Sequence, residues 1–235
     1  MSAYAASAAF YDAIAGGAHA AVDAQIAEAL GYIERPLAPV VDIGAGTGLS
    51  TRVIADALPG ATILAIEPDP AMRAGLLTRV WSQPALRHRV SILPMELFDA
   101  PLPDIVSAFV ASASLVHFSP VDRQRLWALI ALHLAPSGCA VLEIQSPEAR
   151  DVAESVIATA QVGAVTYAAR ASAEAIDSER LRWRVDYVAS FEGAEVDSQC
   201  SEYLCWAVSA NTVLTEAAKH GLRGQAKGDL VVLHR

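Results

Sequence analysis

The chain has 235 residues, 54% of them hydrophobic, and a formal net charge of −9. That length suits one α/β domain with a full core, and the acidic balance argues against a nucleic-acid or anionic-membrane partner. Three cysteines, Cys139, Cys200 and Cys205, show no metal-type spacing. Each is expected to be a small buried or half-buried side chain in a reducing setting. There is no basic stretch ahead of an apolar run at the N-terminus, and no apolar segment reaches bilayer length, so a cytoplasmic location without a membrane partner is expected. The mean hydropathy of +0.34 owes much to alanine and makes a homodimer the expected oligomer.

In chain order, Tyr4 to Ala15 predicts a short helix bearing Phe10 and Tyr11. His19 to about Ile33 predicts a second, with Val22, Ile26, Leu30 and Ile33 on one face. Pro36 and Pro39 end it. Val40 to Ile43 reads as a short buried strand, and Gly44, Gly46 and Gly48 then form a turn where backbone can approach a ligand without a Cβ in the way. Ser50 and Thr51 are placed to cap the helix that follows, to about Leu58. Thr62 to Ile66 is the next strand. Glu67 stands at its C-terminal end, where a carboxylate can accept both hydroxyls of a ribose. Asp69-Pro70 opens a helix carrying Met72, Leu76, Leu77 and Val80.

Strand three is Val90 to Leu93 and strand four Ile105 to about Phe109. Ser119-Pro120-Val121-Asp122 caps a helix with Leu126, Leu129, Ile130 and Leu134 inward. Ala135-Pro136-Ser137-Gly138 turns it into strand five, Ala140 to Ile144. From Leu181 to Phe191 bulky and polar residues alternate, Glu192-Gly193 suggests a hairpin turn, and Glu195 to Trp206 returns. Arg180, Arg182 and Arg184 read as one solvated face. A helix from Ser209 to His220 and a strand over 228–233 close the chain. Strands separated by helices predict a parallel sheet with helices on both faces and a ligand beyond the carboxyl ends of its strands.

The glycine spacing decides between nucleoside cofactors. A dinucleotide fingerprint, G-x-G-x-x-G, would need a third glycine where Leu49 stands. Asp42, two residues ahead of Gly44, would repel a pyrophosphate and suits a cofactor with ammonium and sulfonium groups. In these residues the sequence resembles the class I S-adenosylmethionine-dependent methyltransferases, over about Val40 to Ile144 by motif. The resemblance implies a Rossmann-like fold, a mostly parallel seven-stranded sheet with helices on both faces plus an extra antiparallel β-hairpin layer. It also implies one domain over 1–235, with 1–35 a helical lid and 160–207 a β insertion covering the substrate.

By the same resemblance, Asp42, Gly44, Ala45 and Gly46 would line the methionine end of S-adenosylmethionine, Glu67 its ribose, and Pro68, Met72, Met95 and Glu96 its adenine. Ser112, with Ala113, would face the sulfonium. His117 is the candidate general base, with Glu143 a weaker candidate for a substrate role. Tyr4, Phe10 and Tyr11 would form a lid. Tyr11, Trp183, Tyr187 and Trp206, with Tyr203, would wall the acceptor. His19, His88, His133, His220 and His234 form no ligand spacing, so no metal is expected. The chain lacks the Asn/Asp-Pro-Pro-aromatic segment and the Pro-Cys nucleophile of base-modifying members, which points to a small-molecule acceptor. The implied reaction moves a methyl group to an O or N atom and leaves S-adenosylhomocysteine. The alternatives are an NAD(P)-dependent oxidoreductase and a non-catalytic S-adenosylmethionine-binding scaffold or regulator.

Overall fold

The computed structural model describes residues 3–34, 36–144 and 151–235. Two helices, α1 (Ala3–Ala18) and α2 (Ala20–Leu30), precede the alternating part. That part runs β1 (Val40–Ile43), α3 (Leu49–Ala57), β2 (Ile63–Ile66), α4 (Pro70–Ser82), α5 (Pro84–Arg87) and β3 (Val90–Leu93). It continues with β4 (Val106–Ala111), α6 (Pro120–His133) and β5 (Leu134–Glu143). Four long strands follow: β6 (Val152–Val162), β7 (Val165–Ala175), β8 (Arg180–Phe191) and β9 (Ala194–Trp206). The chain ends with α7 (Ala210–Ala218), β10 (Arg223–Lys227) and β11 (Leu230–His234).

The capping chemistry explains where several helices begin. Asp69 accepts from the backbone N–H groups of Ala71 and Met72 at 2.8 and 3.0 Å, with Pro70 at the first helical position of α4. Ser119 accepts from Asp122 N at 3.1 Å and Ser209 from Thr212 N at 3.1 Å, starting α6 and α7. One expected cap is absent. The N-cap of α3 is Gly48, without a side-chain cap bond, and Ser50 and Thr51 lie inside the helix.

The main sheet has seven strands in the order β10-β11-β5-β4-β1-β2-β3. β1 pairs in parallel with both β2 and β4, and β11 runs antiparallel to both β5 and β10. The order therefore reverses between β1 and β4, which places the ligand crevice beyond their carboxyl ends. The strands carry apolar side chains on both faces. Val40, Ala108, Val110 and Val141 pack against α2, α3 and α4, while Val41, Ile43, Phe109 and Leu142 pack under α6 and α7. The Ala135–Gly138 stretch, expected as a turn, belongs to an irregular start of β5, where the register shifts between Val106 and Ala108 of β4.

The antiparallel layer is larger than a hairpin. It has four strands in the order β6-β7-β8-β9 and begins at Val152. The β8–β9 turn is at Glu192-Gly193, both with positive φ, as the sequence suggested. Alanine hid the first two strands: the inward face of β7 is Ala169, Ala171 and Ala173, which has little β-propensity to read. Those small side chains let Phe10 and Ile14 of α1 sit directly on the layer, together with Val185 and Tyr187 of β8. Val116, Leu181 and Cys205 form a second contact between the layer and the segment after β4. Cys139 and Cys205 are buried, as expected, whereas Cys200 is exposed. Arg182 and Arg184 are solvated and ion-paired, and no described helix is long and apolar enough to cross a membrane.

Candidate functional site

A cleft of about 730 Å³ opens beyond the carboxyl ends of β1, β2 and β4. Its floor is the glycine turn. Gly44 and Gly46 have φ of +65° and +57°, in the left-handed region that favours glycine. A Cβ at Gly44 would come within 2.8 Å of the Ser114 Cβ, so the post-β4 segment packs directly on it. A Cβ at Gly46 would meet nothing within 4 Å. The backbone there faces open cleft, which suits a ligand lying across it. The Ala45 N–H donates to the Ile66 carbonyl at 3.0 Å and ties the turn to the end of β2.

Glu67 follows β2 and reaches into the same cleft. One carboxylate oxygen accepts from Gly46 N at 2.8 Å and the other from Asp69 N at 2.8 Å. Burial pushes its carboxyl above the usual range, and the two backbone N–H groups oppose that shift. Pro68, Met72 and Glu96 also line the cleft, with Asp69, Leu97 and Phe98 beside them. On the far wall are Ser112 and Ala113 after β4, then His117 at the end of a short turn over Leu115–His117. The Tyr4 hydroxyl and His117 Nε2 are hydrogen-bonded, and Tyr203 packs against both rings at 5.6 and 5.7 Å. Burial among these groups holds the His117 imidazolium below its ordinary pKa. Neutral imidazole is thus the prevailing form near neutral pH, able to accept a proton.

The roof is α1. Tyr4 and Tyr11 line the cleft while Phe10, on the opposite side of the helix, stacks on Tyr187 at 5.5 Å. Burial and the Glu143 charge push the Tyr11 phenol up to about 12, so it stays a neutral donor. Asp12 fastens this helix to the glycine turn. It accepts from Thr47 Oγ1 at 2.5 Å and from Arg79 at 2.6 Å, and Arg79 also donates to the Thr47 carbonyl at 2.9 Å.

Gly44, Gly46, Glu67, Pro68, Met72, Glu96, Ser112, His117 and Tyr11 therefore meet in one cleft, and Ala45 lies in a small side cavity next to it. Five expected residues stand elsewhere. Asp42 is fully buried and accepts from Ser50 Oγ at 3.0 Å and Thr51 Oγ1 at 2.5 Å. Strand alternation turns it toward α3, so the two hydroxyls expected to cap that helix satisfy this carboxylate instead. Met95 is half-buried outside the lining. Tyr187 belongs to the contact with α1, and Trp183 packs between both contacts of the layer. Trp206 lies with the Arg180 guanidinium 5.7 Å from its ring centroid. The cleft also holds Asp99, Phe118, Asp122 and Arg125, none expected from the sequence, although the capping segment at Ser119–Asp122 lies beside three of them.

A family model described as a methyltransferase domain matches residues 40–138, from β1 into β5. The chain belongs to the class I S-adenosylmethionine-dependent methyltransferase fold family. Trans-aconitate 2-methyltransferase of Methylobacterium nodulans is 30% identical to this methyltransferase-fold chain over 173 residues, 74% of this chain and 57% of that protein. The enzyme of the same name from Deinococcus radiodurans is 33% identical over 129 residues, 54% of this chain and 45% of that one. The chain thus spans about half the length of the curated relatives it matches. Among solved structures, Streptomyces venezuelae DesVI superposes with a TM-score of 0.75 at 18% identity, covering 92% of this chain and 91% of that one. S-adenosylmethionine-bound CalS10, an amino pentose methyltransferase from Micromonospora echinaspora, gives 0.70 at 19% identity, covering 92% and 90%. These share the methyltransferase fold, including its antiparallel layer.

Proposed function

We propose that this protein transfers a methyl group from S-adenosylmethionine to an oxygen or nitrogen atom of a small molecule, acting in the cytoplasm. The observation that carries this reading is the open backbone over Gly46 beside the Glu67 carboxylate in a single cleft. The residues present fit this cofactor. Gly44, Ala45 and Gly46 would take its methionine end along the turn, Glu67 its ribose hydroxyls, and Pro68, Met72 and Glu96 its adenine. Bound S-adenosylmethionine supplies a methyl group on a sulfonium, already activated for in-line displacement. What remains for the chain is alignment and exclusion of water. Tyr4 and Tyr11 on α1 close over the cleft, and Ser112 and Ala113 form the wall opposite Glu67. His117 takes the proton of the acceptor, with Tyr4 fixing its ring.

Titration calorimetry with S-adenosylmethionine and with S-adenosylhomocysteine tests the reading. Both should bind in the micromolar range, and Glu67→Ala should abolish the heat. Absence of binding to the unaltered protein sinks the proposal. Trans-aconitate and an amino pentose, named for the relatives above, are the first acceptors to assay for methyl transfer. With an accepted substrate, kcat/KM should fall on acidification through the His117 pKa, below 6.5, and His117→Gln should remove that limb.

A further inference from the structure

The proposed reaction leaves one feature of the cleft wall without a cause: Ala113 has φ +51°. For a residue with a Cβ this left-handed conformation costs about 1–2 kcal/mol, and it persists only where surroundings impose it. The imposing group is Glu143 at the end of β5. One of its carboxylate oxygens accepts from Ala113 N at 2.8 Å and from Ser112 Oγ at 2.8 Å. The side chain is 10% exposed, with His19 Nδ1 3.9 Å from the other oxygen. The turn is held on its other side too, because Ser114 Oγ donates to the Ile43 carbonyl at 2.7 Å and its Cβ presses on Gly44.

We propose that Glu143 is a positioning residue: its carboxylate holds the Ser112–Ser114 turn in the strained shape that forms the wall of the methyl-donor site. The inference rests on the methyltransferase reading for the identity of the ligand. The holding of the turn is a property of the free protein. Because the Ser112 hydroxyl is committed to Glu143, Ser112 and Ala113 meet the donor through backbone and Cβ atoms, whose positions depend on this carboxylate. A glutamine at 143 can accept from Ala113 N and donate to Ser112 Oγ with the same amide group only by rotating the serine hydroxyl, so it keeps the Ala113 bond without the charge. An alanine keeps neither.

The test uses four proteins: unaltered, Glu143→Gln, Glu143→Ala, and Glu143→Ala combined with Ala113→Gly. Amide hydrogen exchange of residue 113 is measured without ligand, and S-adenosylhomocysteine affinity by calorimetry. The Ala113 amide should be protected in the unaltered protein and in Glu143→Gln, and exchange fast in Glu143→Ala. Affinity should drop about 10- to 100-fold in Glu143→Ala, the effect of losing charge-assisted hydrogen bonds, and stay within a few-fold in Glu143→Gln. The added glycine should weaken binding further, because it frees the turn that the carboxylate no longer holds. Unchanged exchange at Ala113 in a folded Glu143→Ala protein overturns the proposal, as does unchanged affinity. Equal losses in the Gln and Ala variants also overturn it, because charge rather than the hold on the turn would then be the cause. If Glu143→Ala does not fold, Ser112→Ala and Glu143→Gln carry the same two readouts. Protection at Ala113 without any binding to the unaltered protein means that the methyltransferase reading has failed and the turn-holding role stands.

Discussion

Gly46 and Gly48 stand two residues apart and should fail in different ways when given a side chain. Both have positive φ, +57° and +89°, so alanine at either costs about 1–2 kcal/mol of backbone strain. At Gly48 the new Cβ would also sit 2.7 Å from Leu76 Cδ1 and 3.2 Å from Arg79 Cδ. At Gly46 it would enter only the open cleft. Gly48→Ala should therefore show the larger fall in melting temperature. Gly46→Ala should melt near the unaltered protein yet lose at least tenfold in S-adenosylhomocysteine affinity, equivalent to about 1.4 kcal/mol. A Gly46→Ala protein that binds normally would remove the turn from the site.

Asp42 gives the same scale a pH dependence. Burial pushes its carboxyl up to about 6, against the opposing bonds from Thr51 and Ser50, from an ordinary 3.8. The folded state thus holds this proton more tightly than the unfolded chain does, and the contribution to stability is lost as pH rises through roughly 4 to 6. The gap corresponds to about 3 kcal/mol. Asp42→Asn cannot ionise and still accepts from a hydroxyl. Its stability relative to the unaltered protein should improve by up to that amount between pH 4 and pH 7, read by urea unfolding at both. A difference that stays constant with pH would mean that Asp42 is charged in the fold at both ends.

At the scale of elements, two contacts decide how helices are held. α1 is two-faced: Phe10 and Ile14 grip the antiparallel layer, Tyr4 and Tyr11 face the cleft, and Asp12 bonds to Thr47 and Arg79. A roof and a cofactor floor are thereby joined by one short helix. On the other side of the sheet, α6 and α7 are joined by Glu216. It accepts from Arg123 at 2.9 and 3.0 Å and from Trp127 Nε1 at 3.0 Å, with the Arg123 side chain only 4% exposed. Glu216→Ala would strand that guanidinium, and breaking a buried pair from one side costs about 3–5 kcal/mol. Denaturant midpoints should show that loss, while Asp122→Ala, removing the exposed partner of Arg125, should cost less than about 1 kcal/mol from the ion pair itself.

For the molecule as a whole, acids at strand ends hold the loops of the cleft. Asp42 of β1 binds α3, Glu67 after β2 binds the glycine turn, and Glu143 of β5 binds the turn after β4. The two sheets should differ in cooperativity. Every residue of β1 and β4 is buried, whereas Ala194 to Cys200 of β9 are exposed. Native-state hydrogen exchange should therefore find the slowest amides in β1 and β4 and much faster ones at that end of β9. Equal protection throughout would mean that the two sheets open only together.

The amino-acid sequence alone determined the alternating sheet, its glycine turn, the capped starts of α4, α6 and α7, and Glu67 as an acid beside that turn. These are local facts. A period, a cap or a turn depends on neighbours a few residues apart, and a strand's carboxyl end follows from its direction. Sequence also placed Tyr4 and Tyr11 on the lid, because their helix carries few other large side chains. Only the tertiary structure decided which way Asp42 points, since strand alternation and the packing of α3 together turn its carboxylate away from the cleft. It likewise decided that the aromatic residues Trp183, Tyr187 and Trp206 pack within and around the layer: period two marks an inward face without saying what that face meets. The alanine-lined strands β6 and β7 carry too little side-chain pattern to read, and their role emerges only where α1 lies on them. Glu143 is 30 residues from the turn it holds. Its role exists because β4 and β5 are neighbours in space, a pairing made by the whole sheet and by no local segment of the chain.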